Sequence, residues 1–329
     1  MRRVGKSAWL IASVALAGCS DNQSVLNPKS GPAAELAQLS WLLFGMGAFV
    51  LAVVSIALLV ALRGSESARA IVASPRAVVW GGIGFPIVVL TALLIYGVWL
   101  TAGSQLRLNE TADLRIRIVG EQWWWRIAYE GPDGNAITSA NELRIPVGRA
   151  TQLELTAADV IHSFWVPNLA GKIDMIPGRI TRLRLEPNTA GVYRGQCAEY
   201  CGGPHALMAF EVVAMEAKAF DEWLSGQAAP ARQAETPATT RGQELFLALG
   251  CGGCHTVRGT EAAGTIGPDL SHLASRRSVG IDTNALSAAS IAAFIRDGQH
   301  IKPGNLMPPY RLLDTEELVA VSAYLAALE

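Results

Sequence analysis

The sequence has few charged residues, no excess of basic over acidic residues, and few cysteines. Charged residues make up 17% of its 329 positions, and 27 basic residues nearly balance 28 acidic ones. Because no basic stripe or excess is present, we do not expect a nucleic-acid partner. The cysteines number five, and an odd count argues against a simple disulfide framework. Apolar residues are abundant and make up half of the sequence. This high apolar content with few charges favours membrane segments over one large soluble core.

The chain begins with the pattern of an exported protein. Three basic residues precede an apolar run at residues 8–17, which is too short to span a bilayer and is typical of a signal peptide. The run ends in LAGC at residues 16–19, which resembles a bacterial lipobox. That resemblance implies removal of residues 1–18 and acylation of Cys19. The alternative is an ordinary secretory signal with an incidental cysteine.

Two uncharged apolar runs follow, at residues 41–62 and 78–100. Each is long enough to cross about 30 Å of hydrocarbon. The loop between them carries three arginines against one acid, which places it in the cytoplasm by the positive-inside rule: Arg63, Arg69 and Arg76 against Glu66. We therefore expect a two-helix transmembrane hairpin within residues 19–104, with all later residues on the periplasmic side. The alternative is a pair of buried helices in a soluble protein.

The region 105–226 has the alternation of β-strands. Leu114, Ile116 and Ile118 alternate with arginines, and leucines alternate with charged or polar residues at 152–155 and 182–185. Period-two patterns broken by Gly, Pro and Asn predict an antiparallel sandwich or barrel. Residues 216–225 are expected to form a helix that closes this domain.

A cluster of soft metal ligands lies in GQCAEYCGGPHALM, residues 195–208. Cys197, Cys201, His205 and Met208 fall within twelve residues, and His162 lies upstream. Thiolate, thioether and imidazole together favour copper. A blue-copper site needs one thiolate, whereas two thiolates with two histidines can bridge two coppers, and a backbone carbonyl within the loop can supply a weak oxygen ligand. A copper chaperone of thioredoxin type needs neither His205 nor Met208, and a structural zinc site leaves the methionine unexplained.

The pattern C-x-E-x-C-x-x-x-H-x-x-M closely resembles cytochrome c oxidase subunit II. The resemblance covers residues 40–225 and extends through the paired spans, GEQWWWRIAY at 120–129, DVIHSFWVPNLAGKIDMIPGR at 159–179 and GVYRGQCAEYCG at 191–202. It implies a cupredoxin-like antiparallel β-barrel that holds a binuclear copper A centre (CuA). The implied copper ligands are His162, Cys197, Glu199 through its carbonyl, Cys201, His205 and Met208.

The same resemblance implies further roles. The Glu199 carboxylate is expected to reach a magnesium ion at the boundary with the catalytic subunit, and Trp123 is expected to be the point of electron entry. The family usually has an acidic residue just before the second span, at the mouth of a proton channel. Here Arg76 and Ala77 stand in that neighbourhood, so we do not expect proton entry through this chain.

A second redox motif follows residues 227–240, whose Ala, Pro and Thr content predicts an exposed linker. Cys251, Cys254 and His255 form C-x-x-C-H, the attachment sequence of a c-type haem. A thioredoxin-like C-x-x-C motif is the alternative, but it leaves the adjacent histidine unexplained. Met307 is the sole methionine after residue 215, and its Pro/Gly loop makes it the expected second axial ligand.

Residues 241–329 resemble a small, all-α class I cytochrome c. Pro268 matches the family proline whose carbonyl holds the histidine ring, while His272 and His300 are expected to lie at the surface or behind the ligands. The chain is expected to end in a helix with a capping box at Asp314 and Glu317.

These features together predict a subunit II with a fused cytochrome c, in a bacterial inner membrane. Electrons are expected to pass from an external donor through haem c to CuA and on to a catalytic subunit I that reduces oxygen to water. The donor is expected to be a c-type cytochrome, since quinol-oxidising relatives lack the copper ligands; a subunit III and membrane lipid are the other expected partners. The alternatives are a CuA-bearing subunit of a nitric oxide reductase and a free-standing copper carrier.

Overall fold

The computed structural model describes residues 23–131 and 134–329, so the predicted signal peptide and Cys19 lie outside the described residues. The chain divides into two compact units. Residues 34–111 form one unit, and the described part of residues 1–33 belongs with residues 112–329 in the other.

The first unit is helical and keeps its apolar side chains on the outside. Its elements are α1 (Gly31–Arg63), α2 (Glu66–Val72), α3 (Pro75–Val79), a π-helical turn (Trp80–Gly84) and α4 (Phe85–Leu108). The helices Gly31–Arg63 and Pro75–Leu108 are long and apolar enough to cross a membrane, and they contain both predicted runs. Leu51 and Trp99 are 68% and 67% exposed, so these surfaces need an apolar environment. An ion pair of 2.7 Å joins Glu35 on α1 to Arg107 on α4.

The β domain, defined here as residues 114–228, is a two-sheet sandwich closed by a helix. The sheets have the strand orders β3-β2-β1-β5-β8 and β4-β10-β9-β6-β7. The bounds are β1 (Leu114–Glu121), β2 (Trp124–Glu130), β3 (Ala136–Ala140), β4 (Glu142–Pro146), β5 (Thr151–Ala157), β6 (His162–Trp165), β7 (Ile173–Met175), β8 (Thr181–Leu185), β9 (Gly191–Cys197), β10 (Ala209–Met215) and α5 (Ala217–Ala228).

The predicted alternation places the expected side chains in the core of the β domain. Ile116, Ile118, Leu153 and Leu155 are at most 1% exposed, because successive side chains of a strand point to opposite faces. The sheets differ from the prediction in one respect: β1 pairs with β5, and β4 with β10, in parallel. In both pairs the strands are far apart in the chain, and strands of the other sheet lie between them, so the returning strand can run in the same direction.

The helical domain, defined here as residues 237–329, has a separate core around three helices. These are α6 (Pro237–Ala248), α7 (Ala288–Ile301) and α8 (Thr315–Ala326), with short 3₁₀ turns at Cys251–Gly253 and Leu273–Ser275. The predicted capping box of α8 is present, since the Asp314 side chain accepts from the Glu317 N–H and the Glu317 side chain from the Asp314 N–H. The α6 and α8 backbones approach so closely that a Cβ on Gly242 would lie 2.1 Å from the Ala320 carbonyl oxygen.

The segment predicted as an exposed linker is exposed at most of its residues, but it contacts the helical domain at Ala231. Ala231 is 5% exposed, and its N–H donates to the Arg258 carbonyl at 2.9 Å. The first helix of the helical domain starts within the segment, because Thr236 caps it and Pro237 occupies its first turn. Composition did not reveal these two features, because alanine is small enough to be buried in an otherwise exposed segment and because Thr-Pro is also a helix-start signal.

Candidate metal centre and cofactor cavity

One end of the β domain brings the six predicted copper ligands together. His162 begins β6 and Cys197 ends β9. The loop from β9 to β10 carries the other four ligand residues, with a 3₁₀ turn at His205–Leu207. Because β6 and β9 are paired neighbours, with Phe164 opposite Cys197, the sheet register places the distant histidine beside the first cysteine.

The donor atoms surround the two sulfurs. Cys197 Sγ and Cys201 Sγ are 3.8 Å apart, too far for a disulfide. His162 Nδ1 lies 3.9 Å from Cys197 Sγ, and the Glu199 carbonyl oxygen 3.1 Å from it. His205 Nδ1 and Met208 Sδ lie 3.4 and 3.7 Å from Cys201 Sγ. Each sulfur thus has one imidazole and one weak donor at its side. This arrangement fits two soft metal ions that share both thiolates.

The protonation of the two thiols is coupled. Their hydrogen bond holds the pKa of Cys197 well below the usual range of a thiol, because one proton shared by two sulfurs stabilises the Cys197 thiolate. The same sharing, with burial, raises the pKa of Cys201. A thiolate is the form that binds metal, so the site offers its first ligand readily.

Asp159 fixes the orientation of His162, and sequence reasoning missed it. The Asp159 carboxylate accepts from His162 Nε2 at 2.8 Å and from the Gln122 N–H at 2.6 Å. The proton therefore lies on Nε2, and Nδ1 faces the sulfurs as an available ligand atom. Gly120 makes room for the ring, since a Cβ there would lie 2.8 Å from His162 Cδ2. The only sequence signal was the proximity of an acid three residues before the histidine.

Tryptophans hold the ligand loop from the adjacent sheet. Trp123 Nε1 and Gln122 Nε2 both donate to the Cys201 carbonyl, at 3.0 and 2.7 Å. Trp125 Nε1 donates to the Met208 carbonyl at 3.2 Å. Trp125 is a core residue, whereas Trp123 is half-buried at the edge of the metal cluster. Glu199 is exposed, so its carboxylate faces outward from the loop.

The C-x-x-C-H motif lines a cavity of about 560 Å³ in which Met307 also takes part. This volume is in the range of cofactor pockets. The cavity is lined by Cys251, Cys254, His255 and Met307 from the helical domain and by Trp123 and Asp159 from the β domain, among others. Two thiols, an imidazole and a thioether on one apolar cavity fit a covalently attached haem.

His255 is prepared to bind metal through Nε2. Its Nδ1–H donates to the Pro268 carbonyl at 2.8 Å, as the resemblance predicted. Burial lowers the pKa of His255 in spite of that hydrogen bond, so the ring is neutral at neutral pH. Gly267 is needed beside it, because a Cβ there would lie 2.5 Å from the ring.

Of the two remaining histidines of the helical domain, His300 is exposed as expected. His272 is buried rather than at the surface, and its Nε2 bonds the Ala229 carbonyl at 3.0 Å, which ties the domain to the preceding segment.

Comparison with known proteins assigns a family to the region of each site. The family "Cytochrome C oxidase subunit II, periplasmic domain" matches residues 133–215, and the family "Cytochrome c" matches residues 239–329. The chain is 31% identical to cytochrome c oxidase subunit 2 of Branchiostoma floridae over 156 residues, which cover 41% of this chain and 68% of that protein. The chain belongs to the cytochrome c oxidase subunit 2 family. Its cytochrome c domain follows the part it shares with that family.

A bacterial member of the family is more similar in sequence. Cytochrome c oxidase subunit 2 of Alkalihalophilus pseudofirmus is 38% identical over 216 residues, 65% of this chain. That alignment spans 61% of the relative's own length. Among solved structures, the periplasmic domain of subunit II of cytochrome oxidase of Bradyrhizobium japonicum is 34% identical, with a TM-score of 0.34, and covers 36% of this chain and 96% of that one.

Proposed function

We propose that this subunit II is the electron-transfer subunit of a haem–copper terminal oxidase. It accepts electrons from an external donor at haem c and delivers them through CuA to a separate catalytic subunit, which reduces oxygen to water. One observation carries the proposal. Two imidazoles, a thioether and a backbone carbonyl converge on the paired sulfurs of two cysteines, and this cluster lies beside the cavity lined by the C-x-x-C-H motif.

The residues assigned to the two groups have distinct tasks. His162, Cys197, the Glu199 carbonyl, Cys201, His205 and Met208 would hold the two coppers, and Cys251, Cys254, His255 and Met307 would hold the haem. When bound, both groups supply one-electron redox chemistry. The burial of Cys197, Cys201 and Met208 excludes water from the three sulfur ligands. The carboxylate of Asp159 and the carbonyl of Pro268 fix the tautomers of the two ligand histidines.

The proposal also covers the surroundings of the chain. The two apolar helices anchor the subunit in a bacterial inner membrane, with the β and helical domains on the periplasmic side and a lipid on Cys19. The partners are subunit I, a subunit III and a c-type cytochrome as donor. The exposed carboxylate of Glu199 supports a contact with a magnesium ion at the subunit I boundary.

The decisive experiment uses the purified complex with the full chain. We expect Cys197→Ser to leave haem c reducible by the donor but to stop its reoxidation when oxygen is added, because the shared thiolate is lost. Stopped-flow absorbance of haem c measures this, with Met215→Leu as a matched control in β10 outside the ligand set. Reoxidation of haem c at the unmodified rate in Cys197→Ser would contradict the proposed order.

Two further readouts test the remaining parts of the proposal. Metal analysis with electron paramagnetic resonance should find two coppers per chain sharing one unpaired electron, and one copper with single-copper hyperfine structure would exclude the binuclear site. Consumption of nitric oxide rather than oxygen by the complex would replace the oxidase assignment with a nitric oxide reductase.

A further inference from the structure

The outer face of the sheet β4-β10-β9 carries a row of charge on three adjacent strands. In the strand register Glu211 on β10 lies opposite Glu142 on β4 and opposite Arg194 on β9. Their sequence neighbours Leu143, Val212 and Tyr193 point into the core, so the charged row points out. Two glutamates directly opposite each other destabilise a sheet unless a cation lies between them.

The helical domain supplies that cation. Arg277 Nε bonds Glu211 Oε2 at 2.8 Å, and the Arg277 backbone N–H donates to Glu142 Oε2 at 2.8 Å. The other Glu142 oxygen accepts from Arg144 on its own strand at 2.8 Å, and Arg144 also donates to the Ser275 carbonyl at 2.7 Å. Glu211 is thus paired with a cation of the helical domain, whereas Glu142 is paired with Arg144 on its own strand and accepts a backbone N–H from the helical domain.

The third member of the row is matched by opposite charge. Arg194 Nε bonds Asp282 Oδ2 at 2.6 Å, and the Asp282 side chain is only 10% exposed. The loop 275–282 of the helical domain therefore lies along the row. Its Arg277 faces the two glutamates, and its Asp282 faces Arg194. The Glu142 and Glu211 side chains are 7% and 19% exposed, whereas Arg277 is 51% exposed, so dissolved salt can still screen the pair between Arg277 and Glu211.

The same contact between the domains places residues 302–307, which include Met307, against Trp123. A Cβ on Gly304 would lie 3.1 Å from Trp123 Cζ3, so the loop touches the ring that bonds the Cys201 carbonyl. Gly304 has φ +82°, a left-handed conformation that favours glycine. With this loop in place, the six-membered ring of Trp123 is in contact with the chain's own helical domain.

We propose that the row Glu142–Glu211–Arg194 is a docking surface for loop 275–282, and that this docking holds the helical domain in one arrangement in which Gly304 lies against Trp123. A second protein can then reach the helical domain, but it can contact the part of Trp123 beneath Gly304 only if the domains separate. The inference concerns domain assembly and holds whether or not the proposed electron path is correct.

Hydrogen exchange of the full chain in detergent, read by mass spectrometry, tests the docking without any redox measurement. In Glu211→Arg and in Arg277→Glu we expect exchange of peptides 275–282 and 302–307 to rise about fivefold or more, since losing about 1 kcal/mol changes an opening equilibrium by that factor. The combined swap Glu211→Arg with Arg277→Glu should restore slow exchange. Reversal of the Arg149–Asp221 pair, also 2.8 Å long and within the β domain, is the matched control and should leave both peptides unchanged.

The outcomes are separable. Unmodified exchange in both single variants, or a swap no slower than the single variants, overturns the proposal. If a single variant exchanges faster throughout the β domain, it has lost its fold and cannot test the docking. The test is then made on the unmodified chain by changing the salt concentration. Raising the salt to about 1 M should then accelerate peptides 275–282 and 302–307 selectively, because the pairs are screened. No selective acceleration would overturn the docking surface.

Discussion

The two histidines proposed as ligands, His162 and His255, each owe their tautomer to a neighbouring oxygen that accepts a hydrogen bond and cannot donate one. The Asp159 carboxylate takes the proton of His162 Nε2, and the Pro268 carbonyl takes that of His255 Nδ1. Opposite nitrogens are therefore presented at the two sites, although the residues are chemically the same. Such partners are expected to matter almost as much as the ligands.

We expect Asp159→Asn to weaken copper binding about 10- to 100-fold, as loss of such an outer partner typically does. The variant keeps the shape but turns an amide NH₂ toward a donor, either the Gln122 N–H or His162 Nε2. Competition titration with a copper chelator measures the affinity. Asp174→Asn is the control, because Asp174 is 49% exposed and pairs with Lys172 at 3.6 Å. Equal affinity in Asp159→Asn and the unmodified chain would show that Asp159 does not position His162.

Met307→Leu tests the second axial ligand. The haem should remain attached, because Cys251 and Cys254 are unchanged, but its reduction potential should fall, because methionine ligation raises the potential. Potentiometric titration of haem absorbance gives the value. Met215→Leu should leave the potential unchanged, and an unchanged potential in Met307→Leu would remove Met307 from the ligand set.

At the scale of elements, the helical domain depends on one close crossing. Gly242 on α6 leaves no room for a Cβ, because the Ala320 carbonyl oxygen and Tyr324 Cβ would lie at 2.1 and 2.6 Å. Around this crossing Phe246 and Tyr324 pack edge to face with centroids 5.8 Å apart. The helices that carry the domain core are thus held by backbone contact as well as by side chains.

Gly242→Ala should therefore destabilise the helical domain by about 1–3 kcal/mol or more, the usual cost of overpacking a core. Thermal unfolding followed by haem absorbance measures the loss. Gly226→Ala is the matched control, since Gly226 is also helical, on α5, and has open space around its Cβ position. That substitution should be neutral or stabilising, because alanine favours a helix over glycine by about 1 kcal/mol. Equal midpoints for both variants would refute the crossing argument.

At the scale of the whole molecule, the charge of the short loop between the two long helices predicts the orientation in the membrane. Arg63, Arg69 and Arg76 lie within this loop or at its ends. The apolar surfaces of the helices on either side are exposed. Cationic loops stay in the cytoplasm, so the β and helical domains are expected outside.

Cysteine labelling tests this orientation in spheroplasts. Ser67→Cys, in the loop, should react with a membrane-impermeant maleimide after permeabilisation and not before. Ser225→Cys, on the exposed end of α5, should react in both conditions, and the unmodified chain gives the background of native thiols. Labelling of Ser67→Cys in intact spheroplasts would reverse the proposed topology.

The sequence by itself determined the features whose information is local. The proposed copper loop could be recognised because Cys197, Cys201, His205 and Met208 lie within twelve residues, and the C-x-x-C-H motif and the capping box of α8 are equally compact. The strands followed from the period of their apolar residues, and the long helices followed from the length of two uncharged apolar runs. His162 and Pro268, which are distant in sequence, were found through resemblance to known families.

The tertiary structure alone decided what depends on two segments meeting. Asp159 faces His162 Nε2 only because of the conformation of the turn between them. Position 242 must be glycine only because α8 packs against it. The charged row Glu142–Glu211–Arg194 exists only in the register of three strands, two of them paired in parallel, and its partner loop belongs to another domain. No local pattern encodes such pairings, because complementarity arises between surfaces after each has folded.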